Sequence, residues 1–259
     1  MTDAHTHIVR GEARHFICEP FGSERGGNDI VFCGVHPWDC AKWDGGARLR
    51  AALAADPSAG VGEIGLDRMR ERNIPREMRE VFAAQLEIAA EFARPVVLHG
   101  AKCWGEVVKA CMPYAGRIPA FLFHGFSRSG GLVPDIVKMN GFVSVGPAVL
   151  NDHAVNYRIL VRSLPREVIL VESDATPDNA QEAPRIEEIA RKAAEVRGED
   201  FDLFKESVEA NAMRFAKGLF WHSLPSGADP ASCSSVGESL QAQFRPHCDF
   251  VPELFCGLR

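Results

Sequence analysis

The sequence contains no run approaching the roughly 18–20 uninterrupted apolar residues that a membrane-spanning helix requires. Its first residues, Met1-Thr2-Asp3-Ala4-His5-Thr6-His7, lack the basic start and apolar stretch of a secretory signal, so a cytoplasmic location is expected. No CxxC pair occurs, and the 8 cysteines are scattered rather than spaced as a disulfide framework. In a reducing compartment they stay thiols, most of them buried as small hydrophobes. Positive charge is also in short supply. Lys and Arg number 29 against 35 Asp and Glu, a net −6, which argues against a broad electrostatic surface for nucleic acid. A local phosphate site stays open, because a bound divalent ion adds its own positive charge.

What the chain does have is enough length, 259 residues, and enough apolar content, 46%, to bury one large core. Up to about Trp221, short apolar runs alternate with helical patterns. The runs at 30–35, 60–64, 95–99, 120–124, 142–146 and 168–174 are nearly continuous, as parallel strands covered on both faces should be. Between them, residues 77–93 place Met78, Val81, Phe82, Leu86, Ala89 and Phe92 at three- and four-residue steps, one helical stripe. Weaker versions span 105–112, 131–139, 153–163, 185–196 and 202–219. This alternation predicts an α/β fold, a TIM-like (β/α)8 barrel at the small end of its size range. Residues 1–221 form that barrel. Residues 222–259, rich in Ser, Pro, Gly, Ala and Gln and without a clear period, read as a loosely ordered extension. Its Cys233, His247, Cys248 and Cys256 are not spaced like a structural zinc site.

The ionisable residues that end these runs carry the chemistry. His5 and His7 are two apart, so on a strand both imidazoles point to one face and can grip one ion. Glu63, His99, His124 and Asp174 each fall at the carboxyl end of an apolar run, where a barrel gathers its active site. Imidazole nitrogens with carboxylate oxygens suit Zn, Mn, Fe or Mg, and a bridging carboxylate favours two ions. Asp174 is placed to take a proton from an attacking water. His36, before Pro37, is either a packing residue or a substrate contact, and Asp67 either orients a ligand or caps the next helix.

Taken in order, His5-Thr6-His7, Gly34-Val35-His36-Pro37, Gly62-Glu63-Ile64-Gly65-Leu66-Asp67, Pro95-Val96-Val97-Leu98-His99, His124-Gly125-Phe126-Ser127 and Glu172-Ser173-Asp174-Ala175 resemble the signatures of the TatD-like metal-dependent hydrolases, within the amidohydrolase superfamily. Asn211-Ala212-Met213-Arg214-Phe215 resembles that family's closing helix. The resemblance implies a divalent-metal phosphodiesterase, with deoxyribonuclease activity in several members. It implies one ion on His5, His7, Glu63 and Asp174 and a second on Glu63, His99 and His124, with Glu63 bridging. His36 would contact substrate phosphate. The chain departs from the pattern in three places. Only 26 residues separate His7 from Gly34, fewer than one βαβ unit needs, so beyond a short strand near 15–18 one or two early outer helices should be missing. The family usually has an arginine two residues after the histidine that His99 matches, and here His99 is followed by Gly100-Ala101-Lys102; Lys102 is the candidate substitute, but a point charge does not replace a planar fork. The loop after His124 carries Arg128, a second candidate for phosphate.

The expected activity is therefore metal-dependent cleavage of phosphate esters, of nucleic-acid ends or small phosphodiesters, without membrane or obligate protein partner. Two alternatives stay open: a superfamily hydrolase of amides or lactones, and a non-catalytic metal-binding protein that has kept the site.

Overall fold

The structure, a computed structural model, describes residues 1–11, 13–19, 29–127, 130–217 and 219. Eight parallel strands follow one another in chain order: β1 (Thr2–Thr6), β2 (Arg14–Glu19), β3 (Ile30–Cys33), β4 (Gly60–Asp67), β5 (Val96–Ala101), β6 (Phe121–Phe123), β7 (Gly141–Val145) and β8 (Ile169–Val171). They curl into a nearly closed barrel. At the seam, the Asp174 N–H donates to His5 O at 3.1 Å and the His7 N–H donates to Ala175 O at 2.8 Å.

Alternate strand residues face in and out, which explains the unbroken apolar runs. Phe16, Phe32, Val97, Leu122, Phe142 and Leu170 fill the interior, and the end of the last helix, α7 (Phe201–Phe215), plugs it with Phe215. That ring stacks on Phe32 at 5.7 Å and lies 5.8 Å from Phe142. The outward residues pack beneath α1 (Ala47–Ala55), α2 (Arg76–Glu91), α3 (Trp104–Cys111), α4 (Val133–Lys138), α5 (Val155–Ser163) and α6 (Ile186–Arg197). Cys18, Cys33, Cys40, Cys103 and Cys111 are buried thiols, not disulfides.

The first connection of the barrel is short, as the chain length dictated: only the stretch between Thr6 and Arg14 joins β1 to β2. Among the described residues no α-helix precedes α1, which follows β3 and a 3-10 turn at Pro37–Lys42. The expected short strand is β2, two residues longer than its apolar centre. Other boundaries moved by a few residues. The run at 168–174 keeps its ladder only over Ile169–Val171, leaving Glu172 to Asp174 beyond β8. Helix α1 was not anticipated because its inner face is thin: only Leu49 and Leu53 are buried. The extension at 222–259 lies outside the described residues.

The closing helix is tied to the last strand by one side chain. Buried Asn211 donates from Nδ2 to Arg166 O at 2.8 Å and to Ile169 O at 2.9 Å. Asn211→Ala leaves both carbonyls short of a donor and should cost about 2 kcal/mol, read as a lower urea midpoint at unchanged m-value.

Candidate metal centre

The side chains at the carboxyl ends of the strands converge on one carboxylate. Glu63 lies in β4 at a register shift between Val61 and Ile64, an irregularity of the kind that re-aims a side chain. A second shift, between Asp3 and Thr6, interrupts β1, where Ala4 joins the interior layer while His5 reaches Glu63. Close approach of β4 to β5 needs Gly65, at φ 155°, because a Cβ there would fall 2.0 Å from His99 O.

One face of the Glu63 carboxyl, Oε2, looks toward the histidine pair: His5 Nε2 is 3.5 Å away and His7 Nε2 3.6 Å. Asp174 Oδ1 completes this group at 3.4 Å from His5 Nε2 and 3.9 Å from His7 Nε2. These separations are too long for good hydrogen bonds. They are close to the spacing, about 3.4 Å, of two ligands that each sit about 2.1 Å from a shared tetrahedral ion. Both ring nitrogens of fully buried His5 lack a hydrogen-bond partner, a costly state that a cation between these oxygens would relieve. The other oxygen, Oε1, is nearer its neighbours: His99 Nδ1 at 2.6 Å, His124 Nε2 at 2.7 Å and His36 Nε2 at 3.8 Å. Three groups, His5–His7–Asp174, His5–Glu63–His124 and His36–Glu63–His99, thus bring their donor atoms close enough to hold a metal ion.

Two of the far ring nitrogens, those of His7 and His99, are anchored behind this cluster, which fixes which nitrogen faces it. His7 Nδ1 meets Cys18 O at 2.7 Å, and His99 Nε2 meets Asp67 Oδ2 at 2.8 Å. Asp67 therefore orients His99; its other oxygen accepts from the Met69 N–H, in a turn and not at a helix start. His36 is held differently. Its Nδ1 accepts from the Trp38 N–H at 3.2 Å, so a neutral ring carries its proton on Nε2 and presents a donor. Burial pushes this imidazole down to about 4, with Glu63 opposing and the neighbouring histidines adding to the shift, so it is neutral at pH 7.

Burial alone would push the Glu63 carboxyl up, but His124 and His5 charges and the hydrogen bonds from His124 and His99 outweigh it, holding it well below the usual range. The converse applies to His124: burial disfavours its charge, and Glu63 overrides that, raising it well above an ordinary histidine. Asp174, with its side chain 49% exposed, stays ionised, since His5 more than offsets its partial burial.

Glu172 escaped the sequence reading as a functional residue. It is buried behind His124, with Oε2 at 3.7 Å from Nδ1, and accepts from the Gly125 N–H at 2.7 Å and the Ser144 hydroxyl at 2.5 Å. A signal was available: a carboxylate inside an apolar run, two residues before Asp174. Lys102 sits on the exposed turn that follows β5, with φ 57°, and does not line the cleft beside Glu63. Arg128 lies outside the described residues. The cleft, about 320 Å³, is lined by His7, His36, Trp38 and Glu63 and by two cations the sequence reading had not singled out, Lys42 and Arg48.

The model of the TatD-related DNase family matches residues 23–217. The chain belongs to that family. The matched stretch begins after His5 and His7, so their place in the cluster rests on the geometry above. A TatD relative from Dickeya dadantii, described as a 3'-5' ssDNA/RNA exonuclease, is 31% identical over 195 residues, 70% of this chain and 74% of its own. One from Pectobacterium carotovorum with the same description is 29% identical over 195 residues, 70% and 75% of the two chains. The crystal structure of YJJV, a TatD homologue from Escherichia coli, superposes with a TM-score of 0.70 at 20% identity, covering 83% of this chain and 96% of its own. That likeness shows the barrel fold.

Removing Glu172 tests the support behind the TatD cluster. Glu172→Ala leaves the Gly125 N–H and the buried Ser144 hydroxyl without their acceptor and should lower unfolding free energy by about 2 kcal/mol. Glu172→Gln, which keeps an acceptor in place, should lose less than half of that in the same denaturation series.

Proposed function

We propose that this chain is a divalent-metal-dependent phosphodiesterase acting on the ends of nucleic-acid strands. His5, His7, Glu63 and Asp174 would hold one ion and Glu63, His99 and His124 a second, with Glu63 shared between them. The observation that carries the reading is the splitting of the Glu63 carboxyl, one oxygen toward His5 and His7 and the other toward His99 and His124. The donor set fits the group it would hold: imidazole nitrogen and carboxylate oxygen, anchored from behind, with no thiolate in it.

Bound divalent ions supply Lewis acidity toward a phosphoryl oxygen and make a water acidic enough to attack at neutral pH. The protein's own groups do the rest. Asp174, ionised and at the mouth of the site, accepts the proton that the attacking water gives up. His36, neutral with Nε2–H facing the cluster, donates to a phosphoryl oxygen. Lys102 on its exposed turn, and Arg128, are proposed to meet more distant phosphates. The number and identity of the ions and the strand-end preference belong to this proposal, supported by the family and by relatives described as single-strand exonucleases.

Two measurements test it. Elemental analysis of purified protein should find close to two divalent ions per chain, falling sharply in Glu63→Ala, which removes a ligand from both groups. Metal-stimulated cleavage of single-stranded DNA should drop about 100-fold or more in Asp174→Asn, which cannot accept a proton. Hydrolysis of amides without hydrolysis of phosphodiesters would overturn the assignment.

A further inference from the structure

Trp38 is the one Phe, Trp or Tyr that is largely exposed among the described residues, at 48% of its surface. An indole is among the side chains with most to gain from burial, and this one stands at the rim of the catalytic cleft. It does not hang loose there. Pro37 starts the turn, the Trp38 N–H donates to His36 Nδ1, and the Asp39 N–H donates to His36 O at 2.8 Å. The indole meets the His36 ring edge-on at 4.8 Å, and the Arg70 guanidinium lies over it at 3.9 Å from its centre. Trp38 is also a partition. It lines the cleft that holds His7, His36 and Glu63, and it lines a neighbouring groove of about 240 Å³ with Pro37, Asp67 and Arg70.

The charges around it are modest. Lys42 pairs with Asp39 at 2.8 Å and Arg48 with Asp44 at 2.9 Å, both exposed pairs that phosphate can exchange at little cost. With a net charge of −6, affinity for a polyanion has to come from something other than a broad basic surface. A fixed aromatic plane beside the reacting centre supplies it, because every nucleobase has a face to stack and the gain does not depend on sequence.

We propose that Trp38 is a base-stacking platform, taking the unpaired base next to the scissile phosphate while Arg70 holds the ring from the neighbouring groove. The inference rests on the phosphodiesterase reading and narrows its substrate to single-stranded nucleic acid. A base inside a duplex is already stacked between its neighbours and must be unstacked before it can reach the indole.

The test is binding of a fluorescein-labelled oligothymidylate with a phosphorothioate end, followed by anisotropy with metal-free and Mn2+-loaded protein. Trp38→Ala should weaken binding about tenfold or more, and Trp38→Phe, which keeps a stacking face, should recover most of the loss. Replacing the last bases by abasic sites should weaken the wild-type complex similarly and add little further loss in Trp38→Ala. A duplex of matching sequence should bind more weakly than the single strand. Equal affinity of wild type and Trp38→Ala overturns the proposal, as does a Trp38→Ala penalty that is the same with and without the base. Absence of strand binding in both metal states overturns it as well. Cleavage of unprotected strands reports on the phosphodiesterase reading separately. Trp38-dependent binding without metal-stimulated cleavage defeats that reading and leaves the platform standing; cleavage with Trp38-independent binding does the reverse.

Discussion

A carboxylate taken out of water must find positive charge or give up its own, and in this barrel that requirement is concentrated on Glu63. Two strands and three connecting segments bring imidazoles to it: His5 from β1, His7 just beyond that strand, His36 from the segment after β3, His99 from β5 and His124 just beyond β6. His5 and His124 stack at 3.9 Å, an arrangement that ordinary packing of two such rings would not favour if both were charged. The surrounding groups answer this crowding. Cys18 O and Asp67 each claim one far ring nitrogen, and Glu172 places a second buried acid behind His124.

The barrel supplies the positions and the local irregularities supply the aim. Regular strands would send alternate residues to fixed faces, and the two register shifts, in β1 and β4, fall beside His5 and Glu63. Below this layer, large aromatic rings fill the interior and Phe215 closes it, so the floor of the site is rigid. Above it Trp38 and Lys42 stand on the 3-10 turn that follows His36, and Arg48 on the first turn of α1.

Much of this was legible in the sequence because each signal was local. A polar residue that ends an apolar run marks a strand's carboxyl end, and Glu63, His99, His124 and Asp174, found in that way, converge with the His5–His7 pair found from its spacing. The shortage of residues between His7 and Gly34 announced the short connection from β1 to β2, for the simple reason that chain length bounds what can be built. The rest depended on distance between segments far apart in the chain. Nothing local distinguishes Glu172 as the partner of Gly125 and Ser144, or sets Lys42 and Arg48 against His36. The tautomer of His36 depends on one backbone N–H in a turn, and Lys102 was assigned from a position in a motif while its turn carries it away from the cleft. Helix α1 eluded periodicity because two buried leucines make too narrow a stripe.

The seam of the barrel is closed by backbone bonds at His5, His7, Asp174 and Ala175, the same stretches that present three of the clustered side chains. The first strand and the segment after the last are nearly a whole barrel apart in sequence, so anything gripped jointly by the histidine pair and Asp174 acts as a clasp across a very long loop. Closing a loop of that length removes conformational freedom from the unfolded chain as well as adding contacts to the folded one. Occupancy of the site and integrity of the ring then become a single linked quantity, and each is strengthened by the other. The clasp lies beside the connection from β1 to β2, which among the described residues carries no helix, and that is where the ring has most to gain from it.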